Sequence, residues 1–510
     1  MSIGTVISGV SSPSPSKILF VLNGNGSVHK GQFVELDYEE GRLAAMVTDV
    51  VKTNRYFERA DSVKEIESKI GAMEKHFPVA EWEYAVAEAK TLGVIAKDGI
   101  IRRPTFAVSP GTKVRVASKE TLQKFLGFVE GGLFLGRVEF HDVDVKLDIN
   151  RLLQKHLAIL AMSGAGKTVT AKTLIEELLE RKKEQGRIAV IVLDVHGEYT
   201  SFAHPPKDES ARDYSQKTKL INALEMKIGV SKISARMFSE MLPGLSNAQK
   251  RDLEKVINKL QKEMREGSGP FDLKMVKNEV LNDKDIKEAT KRILASWLSG
   301  LEELNLFAKV DYPNLYDVIK PGMLTVLDMS GIINMKKKQI IVNYLAQRLF
   351  AERRKKLLPP FLLILEEAHQ FVPEHKSREE SICKGIIQTI AREGRKFGAA
   401  LCLISQRPIR LDTTVLSQCN TQIIMRITNP YDLKHIGESA EGIDNKSLEM
   451  LTSLRVGEAL IVGEAVNYPV FIKVRKNYSQ ASKHEKTLAE AAKEFEENAE
   501  REKNEISSFL

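Results

Sequence analysis

Apolar and polar positions change period several times along this chain, and the changes mark its parts. In residues 1–57 short apolar runs (Ile3–Ile7, Lys17–Leu22, Gln32–Leu36, Arg42–Val51) are separated by turn clusters at Ser11–Ser16, Asn23–Gly26 and Glu39–Gly41. Short strands at that spacing suit a small barrel or sandwich. From Asp61 to about Lys90 the period becomes helical. Strands return over Gly93–Val116, with Pro104, Pro110 and Gly111 as breakers. The pattern predicts one β-barrel with a helical insertion, ending near residue 127.

Phe128–Asp148 alternates as a hairpin would. Arg187–Asp194 is apolar throughout between its two charged ends, as a central parallel strand should be. Residues 205–316 read as almost all helix, broken at Leu242–Gly244 and Gly267–Pro270, and their basic residues read as a solvated face. Strand and helix patterns then alternate: strand 322–328, helix 339–356, strand 361–365, helix 377–396, strands 399–404 and 421–427, and a closing hairpin over 456–474. Such alternation predicts a doubly wound α/β domain. The expected divisions are 1–127, a barrel domain; 128–204 and 317–478, two parts of an α/β core; 205–316, an all-helical insertion; and 479–510, a charged helical tail.

Composition narrows the class. At 510 residues the chain exceeds what one core organises. A net charge of +8 permits a polyanion partner and equally fits a soluble Lys/Glu-rich surface. The 3 cysteines, Cys383, Cys402 and Cys419, are too few and wrongly spaced for a disulfide framework or a metal set, which suits a reducing cytoplasm. No apolar run is long enough for a membrane span, and the N-terminus has no signal-peptide pattern.

Candidate chemistry gathers at strand ends. The apolar run Leu157–Leu160 leads into Ala161-Met-Ser163-Gly164-Ala165-Gly166-Lys167-Thr168-Val169, and a helical pattern follows. Strand, small-residue loop and helix together make a phosphate cradle from backbone N–H groups and a helix N-terminus. Lys167 would reach the β- and γ-phosphates of ATP, and Thr168 would help hold Mg²⁺. The strict motif begins with Gly where this chain has Ala161. Phe361-Leu-Leu-Ile-Leu-Glu366-Glu367 has the form of a Walker B strand: Glu366 for the magnesium shell, Glu367 to polarise the attacking water. Gln406, ending the apolar run from Ala400, can sense the γ-phosphate or orient water. Asp194 also ends a buried run and serves the catalytic water, the metal shell or only its own loop. Arg392 and Arg395 offer either a charge for a neighbouring subunit's γ-phosphate or a salt bridge at a helix end.

In this order the motifs resemble the HerA branch of the HerA/FtsK group of ATPases. The matching stretches are Ala161–Thr168, Asp194–Tyr199, Leu365–Pro373, Arg392–Gly398, Ile404–Pro408 and Leu416–Thr421. The resemblance runs from residue 1 to about 476 and includes the N-terminal barrel. It implies a RecA-like, homo-hexameric motor that moves on double-stranded DNA and acts with a NurA-type nuclease in end resection and recombination repair. It further implies ATP contacts from Gly164, Gly166, Lys167 and Thr168, catalysis by Glu367, and sensing by Gln406. Lys155 stands where the family more usually has an Arg acting across the subunit interface, and Lys476-Asn477 would approach nucleotide. Two other readings remain open at this stage. One is a ring ATPase that threads protein; the other is a nucleotide-gated scaffold that recruits a nuclease.

Overall fold

The computed structural model describes residues 2–497 apart from 10–11, 25–26, 71, 74–76, 375–380, 441, 482–488 and 491. Two compact units organise it. One comprises residues 1–177 with 367–475, the other 178–366 with 476–510.

The first unit opens with the expected barrel. Its strands are β1 (Gly4–Val6), β2 (Lys17–Leu22), β3 (Phe33–Tyr38), β4 (Gly41–Asn54), β5 (Glu83–Ala96), β6 (Ile101–Arg102) and β7 (Lys113–Val116). They run in the order β2-β1-β7-β3-β4-β5, and pairing of β2 with β5 closes the ring; β6 hangs on β5. Ile18, Phe20, Val34, Leu36, Leu43 and Val114 fill the interior, as alternating positions of a small closed sheet must. Strand β4 is 14 residues long and shifts register against β5 near Ala44/Ala45 and Val47/Asp49. Such bulges let a long strand coil. The inserted helix is Ala60–Ile70. Part of the expected helical stretch up to Lys90 is therefore strand: β5 starts at Glu83, and Ala87 and Ala89 are both fully buried at a two-residue period.

The remaining strands are β8 (Leu133–Val138), β9 (Asp144–Leu147), β10 (Leu157–Leu160), β11 (Ala189–Asp194), β12 (Thr218–Asn222), β13 (Ile228–Gly229), β14 (Phe307–Ala308), β15 (Leu324–Asp328), β16 (Phe361–Leu365), β17 (Ala399–Ser405), β18 (Thr421–Met425), β19 (Glu458–Gly463) and β20 (Val470–Val474). In the first unit they run β17-β10-β18-β19-β20-β8-β9. β10 is parallel to both β17 and β18, and the rest pair antiparallel. The second unit holds β12-β15-β11-β16, all parallel. Their faces are covered by helices such as Met335–Arg354, which buries Ile340, Ile341, Tyr344 and Leu345. The α/β class is as the alternation required.

The segment 205–316 is not all helix. It contributes β12 to the sheet of the second unit and β13 and β14 to a two-stranded ladder. Its helices are Ala235–Met241, Asn247–Glu263, Leu273–Asn282 and Glu288–Glu302. The longest starts at a capping box between Ser246 and Gln249 and buries Leu253, Val256, Ile257 and Leu260, an i, i+3, i+4, i+7 stripe. The helix expected over 377–396 spans Lys384–Glu393 and passes into a 3₁₀ turn at Gly394–Phe397; residues 377–380 lie outside the described residues. Of the expected helical tail, residues 489–490 and 492–497 are helical, and most of the rest lies outside the described residues. Among the described residues no helix is long and apolar enough to cross a membrane. The three cysteines are buried and free.

Candidate active site

The phosphate loop follows β10. Gly164 and Gly166 have φ of 75° and 111°, which L side chains rarely adopt. Ala161, where the strict motif has Gly, is fully buried, so a methyl is accommodated there. Neighbouring chain braces the loop on three sides. Ala161 N–H donates to Ser405 O (3.2 Å), Met162 N–H to Arg426 O (3.0 Å), and Gly457 N–H to Ala165 O (3.2 Å). The helix Lys167–Glu180 has no acidic residue in its first turn, so its positive end is left for an anion. Ser163, Gly164 and Val169 are exposed, and Gly166, Lys167 and Thr168 half-buried.

Glu367 meets this loop. Lys167 Nζ lies 3.6 Å from Glu367 Oε1, although the two are 200 positions apart in the chain. The Glu367 side chain is only 4% exposed. Its backbone is left-handed, with φ 49° and ψ 45°, a conformation that is strained for a non-glycine residue and concentrates at functional sites. Its Oε2 is buried, sits 3.3 Å from His369 Nδ1, and makes no hydrogen bond among the described residues. A buried carboxylate oxygen left open beside a lysine is an acceptor waiting for a ligand proton. His369 Nδ1 is also 3.2 Å from Ser405 Oγ, which accepts from Arg407 N–H (3.1 Å). Burial, then the charges of Arg410, Arg407 and Lys167, push the imidazole down to about 4, so it is neutral near pH 7. Gln406, half-buried, leaves the end of β17 where Ser405 is in register with Leu160 of β10.

In the second unit Asp194 and Glu366 come together. Asp194 Oδ1 accepts from Gly197 N–H (2.8 Å) and Glu198 N–H (3.0 Å), and Oδ2 accepts from Tyr199 N–H (2.8 Å). Glu366 Oε2 accepts from Val195 N–H (2.8 Å) and His196 N–H (3.2 Å). Burial, then the Asp194 and Glu198 charges, push the Glu366 carboxyl up to about 10. Burial also raises Asp194, but its three N–H donors and the hydrogen bond from Glu366 favour its anion. The proton of the pair therefore resides on Glu366. Asp194 thus shapes the Val195–Tyr199 loop, and Glu366 ties that loop to the end of β16. No group of three or more His, Cys, Asp or Glu side chains in metal-holding geometry occurs among the described residues.

Lys155 pairs with Glu464 (2.8 Å) and lines a cavity of about 480 Å³ with Asn420, Asn467 and Tyr468. Arg392 and Arg395 are exposed at the end of the helix Lys384–Glu393 and in the turn after it; Arg392 Nε donates to Gln388 O. Lys476 is exposed and Asn477 half-buried, just past β20. The preceding residue, Arg475, is tied to the phosphate-loop helix. It pairs with Glu176 (2.7 Å) and Glu177 (2.8 Å) and is only 8% exposed. Sequence reasoning passed over Arg475, His369 and Ser405. The one signal for Arg475 was a charge ending an apolar strand; His369 and Ser405 lie inside the matching stretches Leu365–Pro373 and Ile404–Pro408, with no role read for either.

Two family models match the chain. One, described as the central domain of the helicase HerA, matches residues 133–349; the other, the HAS barrel domain, matches residues 3–97. A probable helicase of Methanocaldococcus jannaschii is 31% identical over 471 residues, 88% of this chain and 86% of the relative. A probable DNA double-strand break repair helicase HerA of the same organism is 30% identical, over 78% of this chain and 86% of the relative. The chain belongs to the HerA helicase family. As a member it is an ATP-driven helicase. The HerA of Sulfurisphaera tokodaii, a DNA double-strand break repair helicase, is 28% identical over 98% of this chain and 99% of the relative. Among solved structures, VirB4 of Thermoanaerobacter pseudethanolicus shares the fold, with a TM-score of 0.53 at 18% identity over 68% of this chain and 98% of that one.

Proposed function

We propose that this HerA-family chain hydrolyses ATP to move along double-stranded DNA as a homo-hexamer, working with a NurA-type nuclease at DNA ends during recombination repair. The observation that carries the reading is the approach of Lys167 to Glu367, with Glu367 Oε2 buried and open.

Backbone N–H groups of Ser163–Thr168 and the helix start hold the phosphate chain, and Lys167 neutralises the β- and γ-oxygens. Binding ATP draws Lys167 toward phosphate and frees Glu367 Oε1. Glu367 then takes the proton of the attacking water, and Gln406 orients that water. Val169 borders the nucleotide. Arg392, Arg395 and Lys155 act toward a neighbouring copy; Lys155 must leave Glu464 to do so. Asp194 serves by shaping its loop. Thr168 would hold Mg²⁺; Glu366 carries the proton of its pair with Asp194 and would have to lose it before acting as a ligand. Few protein ligands are what Mg²⁺ requires, because it keeps waters and phosphate oxygens. Bound there, it would neutralise charge on the leaving diphosphate. Relatives that are DNA double-strand break repair helicases support DNA as the track.

The test is strand displacement or roadblock clearance on blunt and tailed duplexes by wild type and Lys167→Ala, run beside a mass measurement. The expected result is ATP-dependent activity in wild type, none in the variant, and a mass near six chains. Activity without ATP, or hydrolysis driven by unfolded protein and not by duplex, would refute the reading.

A further inference from the structure

The loop after β17 carries charge that hydrolysis does not use. Arg407 and Arg410 are both exposed, and neither has an ion-pair partner among the described residues. The loop is pinned: Ile409 N–H donates to Asp432 Oδ1 (2.9 Å), and Asp432 is buried in the first turn of the helix Pro430–Ser439. That bond sets the loop beside Tyr431, which is 72% exposed, and near Lys434. The local acids are largely committed. Asp432 accepts Ile409 N–H, Glu374 Oε2 accepts Thr413 N–H, and Glu438 lies 4.0 Å from Lys434. What remains presented is two guanidinium groups and an aromatic ring, a combination suited to phosphate and sugar. Strands β17 and β18 flank β10 in parallel, so this loop and this helix leave the same sheet edge as the phosphate loop.

The surface is also wired inward. Ser405 Oγ accepts from Arg407 N–H and faces His369 Nδ1, and the same Nδ1 faces Glu367 Oε2. One ring nitrogen thus confronts two oxygens and can bond only one at a time. Without a proton on Nδ1, it accepts from the Ser405 hydroxyl, and Glu367 Oε2 stays open. With the proton on Nδ1 and Nε2 bare, it donates to Glu367 Oε2, and the serine hydroxyl must turn away. A shift of Arg407 moves its N–H on Ser405 and biases that choice.

We propose that Arg407, Arg410 and Tyr431 contact the phosphate backbone of duplex DNA, and that Ser405 and His369 carry the state of that contact to Glu367 as positioning residues. The assignment rests on the translocase reading and names the place where the track is felt.

The test uses the full chain and a fluorescent blunt duplex. Anisotropy is followed from roughly 50 to 200 mM salt, where each lost phosphate contact flattens the log–log slope by about 0.9. Arg407→Ala and Arg410→Ala should each weaken binding and flatten the slope by about that amount, and Arg407→Lys and Arg410→Lys should restore the slope because charge suffices. Ser405→Ala should keep duplex affinity within about two-fold while the ratio of ATPase with duplex to ATPase without it falls toward one. Unchanged slopes in the alanine variants overturn the contact. Loss of nucleotide affinity in place of duplex affinity also overturns it, by placing the arginines at nucleotide. A normal stimulation ratio in Ser405→Ala overturns the relay. A wild-type chain that binds no duplex at all sinks the translocase reading and this assignment together; the other outcomes sink only the assignment.

Discussion

Glu367 is held in a left-handed backbone with one carboxylate oxygen on Lys167 and the other open. Its amide counterpart would keep the shape and lose the base. Glu367→Gln is expected to lower turnover by about 10²–10⁴-fold with ATP binding intact, measured by single-turnover hydrolysis and nucleotide titration. Lys167→Ala should lose binding as well, because the loop then lacks its charge for the phosphates. The pair Lys167–Glu367 was legible in the sequence because each lies in a local motif: small-residue loop then lysine, apolar strand then two acids. The link through His369 to Ser405 was not. His369 reaches Glu367 within one turn, but its meeting with Ser405 depends on how β16 and β17 are placed, and a sequence carries no register between strands. The role expected for Glu366 was legible only in outline, since the backbone N–H groups of Val195 and His196 that now occupy its Oε2 come from another strand's loop.

At the level of elements, His156 joins two pieces that sequence treats separately. Its Nε2 lies 2.9 Å from Ala391 O on the helix Lys384–Glu393, and its Nδ1 accepts from Leu401 N–H of β17 (3.0 Å). Only the neutral ring with its proton on Nε2 satisfies both. Burial pushes this imidazole down to about 4, against the hydrogen bond to Ala391 that would raise it. The unfolded chain binds the proton from about pH 6.5 downward, so the stabilisation is complete above that pH and falls as pH drops toward 4. A loss of about 3 kcal/mol is expected across that window, seen as a falling denaturation midpoint that His156→Gln flattens. Beside it, a Cβ on Gly394 would stand 2.3 Å from Ala399 O, so Gly394→Ala should displace the turn that carries Arg395. Arg475 is the other joint. Arg475→Ala removes the guanidinium that Glu176, wholly buried, and Glu177 share, and should cost about 3 kcal/mol in chemical denaturation. Two errors of element reading share one cause. β5 is rich in Ala and Glu and β12 is short and half polar, so each has weak strand propensity; ladder pairing and burial decide them.

For the whole molecule, motif order was enough to give a phosphate-loop α/β fold with a barrel before it, because each motif brings its own strand and helix. It did not give the ties between barrel and core in the first unit. There Glu88 of β5, already paired with Lys17 of β2 inside the barrel (2.7 Å), meets Lys446 (2.9 Å), and Lys90 meets Asp444 (2.8 Å). Burial raises the Glu88 carboxyl, but the two lysines outweigh it and bring it down to about 2. That contribution is present above the ordinary carboxylate range and is lost as pH falls from about 4.5 toward 2, and it is weakened by salt. One ATP site, built on Lys167 and Glu367, is proposed to be driven by a DNA track. The decisive measurement is steady-state ATPase of wild type and Glu367→Gln, with and without blunt duplex. Duplex should accelerate wild-type hydrolysis, and the variant should bind ATP but turn over at most about one-hundredth as fast in either condition. Near-wild-type turnover in Glu367→Gln, or a wild-type rate indifferent to duplex, would contradict it.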